Sequence, residues 1–254
     1  MGRAQIRFDL NFIPASIIAE QWYCEKAVEL QYRHPGIEFT SPELTYGTSI
    51  HELFASETEE LTEKEIKELI KSGKPASFRE IRFEGVYRGV RIKGIPDYFS
   101  IKGGKALFLL DYKFSKHKRI FPSHRIQVDT YGFLLHKNYL DTNNLICGIV
   151  IVEPEMKELE DVCDDITPLL QAEALKMRQR RLERTNIEGR GLYGQLYSYS
   201  LDNTKKNLDW AIGYWKKQRA ALPTRKAHKC EACQFNAVGL CKSALTAAST
   251  KKKW

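Results

Sequence analysis

The stretch that most constrains this chain is residues 94–113. It opens with Gly94-Ile95-Pro96-Asp97 and closes with Leu109-Leu110-Asp111-Tyr112-Lys113. Between them Gly103-Gly104 marks a turn, flanked by residues with the aromatic and β-branched bias of strands. Leu107-Phe108-Leu109-Leu110 is a continuous apolar run, the pattern of a strand buried on both faces. The stretch reads as a hairpin inside a covered sheet, with two carboxylates and an amine at one end.

The register of that hairpin decides its chemistry. Side chains alternate along a strand, so Asp111 and Lys113 share a face. A two-residue loop at 103–104 sets Asp97 against Leu110 and sends the acids to opposite faces. A three-residue loop over 103–105, or a bulge near Pro96, sets Asp97 against Asp111. Pro96 cannot donate in a ladder and marks an edge or a bulge. We expect the second register. Two carboxylates on one face hold a hard divalent cation. A lysine beside them can orient or activate a water, or stabilise developing negative charge. The pattern points to metal-dependent phosphodiester hydrolysis, and it fails if the acids face opposite ways.

The flanking segments place this hairpin in an α/β fold. The pattern predicts a helix over 17–32 carrying Cys24, a second near 45–54 carrying His51, and a short charged helix over 62–70. Strands follow over 78–87, 90–101, 106–114 and 145–153. A helix over 122–137 sets Gln127 and Tyr131 one turn apart on one face. Helical periodicity resumes from 167. Gly189, Gly191 and Gly194 read as a loop, and a last helix runs from Asp202 or Asn203 to Arg219. Apolar strands alternating with helices imply a central mixed sheet flanked by helices. By themselves Cys24 reads as a buried core thiol and His51 as a hydrogen-bonded histidine at the core margin.

Charge and cysteines narrow the partners. The formal net charge is +8, which favours a polyanion. Lys116, Lys118, Arg119 and Arg125 follow directly on the acid-bearing strand. They read equally as a solvated loop or a contact for a nucleic-acid backbone. No apolar run nears the roughly 20 residues of a membrane span, and the first residues lack a leader's apolar region. We expect a cytoplasmic protein without a membrane partner. Cys230, Cys233 and Cys241 fall at metal-ligand spacing and need a fourth ligand. His228 would suit zinc. Cys24 would make an all-thiolate site for zinc or an iron–sulfur cluster.

Taken in order, these motifs resemble the PD-(D/E)XK nuclease superfamily. The likeness is to its RecB-type branch, most closely the CRISPR-associated RecB-like exonucleases. The resemblance rests on Cys24, on His51 in Gly47-Thr48-Ser49-Ile50-His51, and on Gly94-x2-Asp97. It continues through Asp111-Tyr112-Lys113, Gln127-x3-Tyr131 and the cysteine triad. It implies a restriction-endonuclease-like core and one nuclease domain over 1–254. That domain divides into a helical part to about residue 75, a core over 76–155, C-terminal helices with the cysteine segment over 165–245, and a basic tail over 246–254. It implies Mn²⁺ or Mg²⁺ on His51, Asp97, Asp111 and the Tyr112 carbonyl, with Lys113 serving the attacking water and Gln127 and Tyr131 supporting the site and the DNA strand. It implies an iron–sulfur cluster, of the 4Fe-4S type, on Cys24, Cys230, Cys233 and Cys241. The implied activity is exonucleolytic, on single-stranded DNA ends, trimming spacer precursors with the CRISPR adaptation integrase. A viral or repair exonuclease outside CRISPR shares the same chemistry. A zinc-stabilised DNA-binding protein without activity is the reading of another class.

Overall fold

The structure, a computed structural model, describes residues 6–37, 63–153, 159–189 and 192–245. His51, Thr62 and the tail from 246 lie outside the described residues.

The chain is a mixed α/β fold built on a six-stranded sheet of order β2-β5-β6-β7-β9-β8. Its strands are β2 (Pro75–Phe78), β5 (Tyr98–Lys102), β6 (Lys105–Phe114), β7 (Ile146–Val152), β8 (Arg184–Gly189) and β9 (Leu192–Ser198). Only β6 and β7 run parallel; the other neighbours are antiparallel. A parallel pair needs a crossover, and helix α3 (Pro122–Lys137) supplies it. The whole of β7 is buried, as its unbroken Ile-Cys-Gly-Ile-Val-Ile-Val run requires. A smaller sheet of order β1-β4-β3 holds β1 (Ile13–Pro14), β3 (Phe83–Tyr87) and β4 (Val90–Gly94).

Helices cover both faces of the large sheet. On one side α3 packs with α1 (Ala15–Arg33) and α5 (Leu201–Trp215) around Leu109, Ile149, Phe133 and Trp215. On the other, α4 (Leu159–Gln179) lays Ile166, Leu170, Ala174 and Met177 on Leu110, Val150 and Leu196. The amphipathic helix α2 (Glu63–Ser72) precedes β2, and two short helices, α6 (Ala227–Glu231) and α7 (Gln234–Ala237), carry the cysteine segment. Among the described residues no helix is long and apolar enough to cross a membrane.

Several sequence expectations are corrected here. The strand expected over 78–87 is two, β2 and β3, in different sheets. The strand expected over 90–101 is likewise split into β4 and β5, on either side of Pro96. Pro96 has no amide to donate, and its carbonyl leaves the ladder to accept from the Glu80 N–H at 3.2 Å. The glycines at 189 and 194 belong to the β8–β9 hairpin, not to a loop. At Gly194 an added Cβ would stand 3.1 Å from the Ile149 carbonyl, so the residue marks close strand contact. Helix α4 begins eight residues before Thr167. Ser200 caps α5, accepting from the Asn203 N–H at 3.3 Å, and the helix stops at Trp215. Helix α1 is interrupted at Cys24, whose backbone is extended (φ −165°, ψ 107°).

Candidate active site

The acids meet as expected, but by a different route. Gly103 and Gly104 form a two-residue turn, both with positive φ, between Lys102 and Lys105. The three-residue loop is therefore wrong, and so is a bulge near Pro96. The register instead shifts between Ser100 and Ile101, where Phe108 and Ala106 are the partners and Leu107 is the extra residue. Beyond it Tyr98 pairs with Leu110, so the next step sets Asp97 against Asp111. Phe99 and Leu109 pack toward α3 while Tyr98 and Leu110 pack toward α4. By alternation Asp97 and Asp111 both face α3.

Asp111 is the most enclosed member of the group. Its side chain is 0% exposed, and Oδ2 lies 2.8 Å from the Lys113 ammonium. That contact is an ion pair without hydrogen-bond alignment, and Oδ1 is buried with no hydrogen-bond partner. A buried carboxylate with an open oxygen is costly unless a cation meets it. Asp97 Oδ2 accepts the Tyr112 N–H at 2.6 Å, which pins this acid to the strand that carries the other. The Tyr112 ring points away, its hydroxyl 2.7 Å from Thr167 Oγ1 of α4.

From Lys113 a polar chain climbs α3. The ammonium donates to Gln127 Oε1 at 3.0 Å, and Gln127 Nε2 donates to the Tyr131 hydroxyl at 2.7 Å. The helical i, i+4 spacing of Gln127 and Tyr131 makes this ladder possible. Burial pushes the Tyr131 phenol well above its ordinary pKa, and the negative charges of Asp111 and Asp97 add to the shift. Both acids thus act on one hydroxyl. Gly94 is explained by the same ring: a Cβ there would stand 2.7 Å from Tyr131 Cε1. The small residue lets the helix bring its tyrosine down beside Asp97.

His124, one turn before Gln127, belongs by sequence to the basic connection after the acid-bearing strand, with nothing there assigning it to the site. It is buried, and desolvation followed by the nearby Lys113 charge lowers its pKa to about 3. It is a neutral wall of the site. Its spacing of three from Gln127 was the available signal.

The four cysteines border one pocket. Cys24, Cys230, Cys233 and Cys241 line it with Thr224 and Asn236. His228 is not in the lining, so the thiols and not the histidine border it. The Thr224 N–H donates to Cys24 Sγ at 3.4 Å, and burial raises the Cys24 thiol pKa. Cys147 lies fully buried in β7, as expected of a core thiol. Among the described residues no three His, Cys, Asp or Glu side chains stand close enough to hold a metal ion. The acids offer oxygen donors, which suit a hard cation, and the cysteines offer sulfur donors, which suit a soft one.

The family is decided by the match of one model, that of the PD-(D/E)XK nuclease superfamily, over residues 35–239. The chain belongs to the PD-(D/E)XK nuclease superfamily. The matched span contains Asp97, Asp111, Lys113, Gln127 and Tyr131 but neither Cys24 nor Cys241. It therefore speaks for the nuclease core and not for the thiol set. A solved structure described as "Crystal structure of SSO0001" is similar at 12% identity, covering 93% of this chain and 88% of its own, with a TM-score of 0.46. No curated protein matches. The superfamily is one of metal-dependent nucleases, and the observed fold is its mixed α/β core.

Proposed function

We propose that this PD-(D/E)XK protein is a metal-dependent DNA exonuclease that acts from single-stranded ends. The observation that carries the reading is the juxtaposition of Asp97, Asp111 and Lys113 on one face, with Lys113 continued into Gln127 and Tyr131. Asp97 and Asp111 would hold Mg²⁺ or Mn²⁺, joined by the Tyr112 carbonyl and by His51, which lies outside the described residues. The bound ion supplies a Lewis acid and lowers the pKa of a coordinated water. Lys113 is held between two oxygens, Asp111 Oδ2 and Gln127 Oε1, and keeps N–H donors for a water or a phosphate oxygen. Gln127 fixes that lysine, and Tyr131 fixes Gln127. Neutral His124 adds no charge to compete with the cation.

Single-stranded ends, exonucleolytic action and a role in CRISPR adaptation beside the integrase follow from the resemblance. The net charge of +8 supports a nucleic-acid substrate. Incubation of end-labelled single- and double-stranded DNA with Mn²⁺ tests the activity. Shortening from the label of single-stranded DNA is expected. A Lys113→Ala variant that cuts as well as wild type removes the catalytic assignment of Lys113, whereas wild type that binds DNA without cutting it leaves a DNA-binding protein. Recovery of the adaptation integrase with this protein separates the CRISPR role from a viral or repair role.

The same reading gives Cys24, Cys230, Cys233 and Cys241 an iron–sulfur cluster of the 4Fe-4S type, within one nuclease domain over 1–254. The shared pocket and the amide donated to Cys24 Sγ support it. Visible thiolate-to-iron absorbance of anaerobically purified protein is the check. Colourless protein holding stoichiometric zinc rejects it.

A further inference from the structure

One residue, Leu107, decides that the acids face each other. Along β6, Ala106 and Leu109 pack with the α3-side core, whereas Phe108 and Leu110 pack with the α4-side core. In an uninterrupted strand Ala106 and Phe108 share a face. Leu107 is the step that reverses the faces, and it turns Asp111 and Lys113 toward α3. Without it the same sequence presents both to α4, away from Gln127 and Tyr131.

A bulged residue falls outside the ladder, and its backbone groups need partners from elsewhere. Arg178, in the last turn of α4, provides one. Its Nη2 donates to the Leu107 carbonyl and, at 2.7 Å, to the Asn144 carbonyl. Asn144 stands just before β7, whose parallel pairing with β6 begins at Phe108↔Ile146. A single guanidinium nitrogen therefore ties the bulge to the start of the next strand. Next to it, Met177 is buried in the α4-side core and holds the helix end in place. The arginine bears a desolvation cost there: burial lowers its pKa, and its Nε is buried with no hydrogen-bond partner. A lone stabilising contact would be better made by a neutral group.

We infer that Arg178 is a positioning residue for the two-acid site, acting roughly 13 Å away along the strand. It holds the Leu107 bulge against the start of β7 and so fixes the register in which Asp97 and Asp111 share a face. Its activity consequence rests on the nuclease reading; its structural consequence does not.

The test is an Arg178→Met variant of the full chain, followed by Mn²⁺ titration, by amide hydrogen exchange of metal-free protein, and by cleavage of end-labelled single-stranded DNA. Mn²⁺ affinity is expected to weaken by about 10–100-fold, as when a residue supporting a metal ligand is removed. Exchange is expected to quicken in β5 and β6 but not in β8 and β9. Cleavage is expected to fall in parallel and to recover in part at high Mn²⁺. Exchange and Mn²⁺ affinity equal to wild type overturn the inference, whatever the cleavage rate. If R178M does not fold, R178Q is judged by the same two criteria, since its shorter amide cannot span both carbonyls. Wild type that binds Mn²⁺ without cutting DNA sinks the nuclease reading and leaves Arg178 to be judged on exchange and binding.

Discussion

The acid site and the cysteine pocket are both polar assemblies drawn from separate segments, but they are held by different means. Asp97 and Asp111 are 14 residues apart and are set by a strand ladder, one bulge and a helix that crosses over it. Cys24 and Cys230 are 206 residues apart, and no ladder joins their segments. There the tie is a side-chain clamp. Glu25, beside Cys24 and with its side chain fully buried, accepts from both terminal nitrogens of Arg219. It also accepts from the Leu222 N–H at 2.8 Å and from Gln21 Nε2 at 2.6 Å. Backbone geometry places the oxygens; beside Cys24, an ion pair with a buried carboxylate ties the first helix to the segment that leads to the other cysteines. The first is set mainly by nearby backbone with Arg178 as a distant support, whereas the second relies on side chains, above all the Glu25–Arg219 pair.

That contrast predicts the order of effects. Arg219→Met strands the fully buried Glu25 carboxylate and is expected to cost about 3–5 kcal/mol in urea unfolding. A loss below about 1 kcal/mol breaks the contrast. Lys113→Ala is expected to lower DNA cleavage by about 10²–10³-fold with secondary structure by circular dichroism retained, since the ladder and not this side chain holds the acids. Gly94→Ala pushes a methyl into the Tyr131 ring and should destabilise by about 1–3 kcal/mol, with cleavage reduced as well. An unchanged unfolding midpoint there shows that α3 yields easily.

The smallest effect expected is one of pH. Asp129 of α3 is largely buried, accepts from the Tyr197 hydroxyl at 3.0 Å, and has its pKa raised by desolvation to about 6. Its folded pKa exceeds the usual carboxylate value. The proton it holds therefore favours the folded state at low pH, and that contribution is lost as pH rises through about 6. Thermal midpoints of wild type and Asp129→Asn should diverge in that window, wild type losing relative stability as pH rises. Parallel curves from pH 4 to 8 remove Asp129 as the cause.

The sequence carried much of the acid site because its determinants are local. Strand alternation, a glycine pair and i, i+4 spacing are short-range rules, and they led to Asp111, Lys113, Gln127 and Tyr131. The bulge stayed hidden because Leu107 is one apolar residue in an apolar run. Either face of the sheet buries leucine, so nothing in the pattern shows where the faces reverse. The division at Pro96 was half visible: proline signals the loss of a ladder donor but not that the chain passes to a second sheet. Arg178 owes its place to contacts across long sequence separations, which periodicity does not encode. The extended backbone at Cys24 went unread for the same reason, since the residues around it form helix on both sides.

The Glu25–Arg219 clamp also determines what an optical probe of this protein reports. Trp215 donates to Gln21 Oε1 at 2.9 Å within the clamp, and Trp22 and Trp210 meet edge-on at 4.4 Å beside it, with the Arg219 guanidinium over the Trp210 ring. These are three of the four tryptophans in the chain, and the fourth, Trp254, lies in the tail. Among the described residues the acid-bearing hairpin has none. Intrinsic emission is therefore a gauge of the joint between α1 and α5. An unfolding curve followed by fluorescence dates the release of that joint, and a change confined to the hairpin passes unseen unless a fluorophore is introduced there.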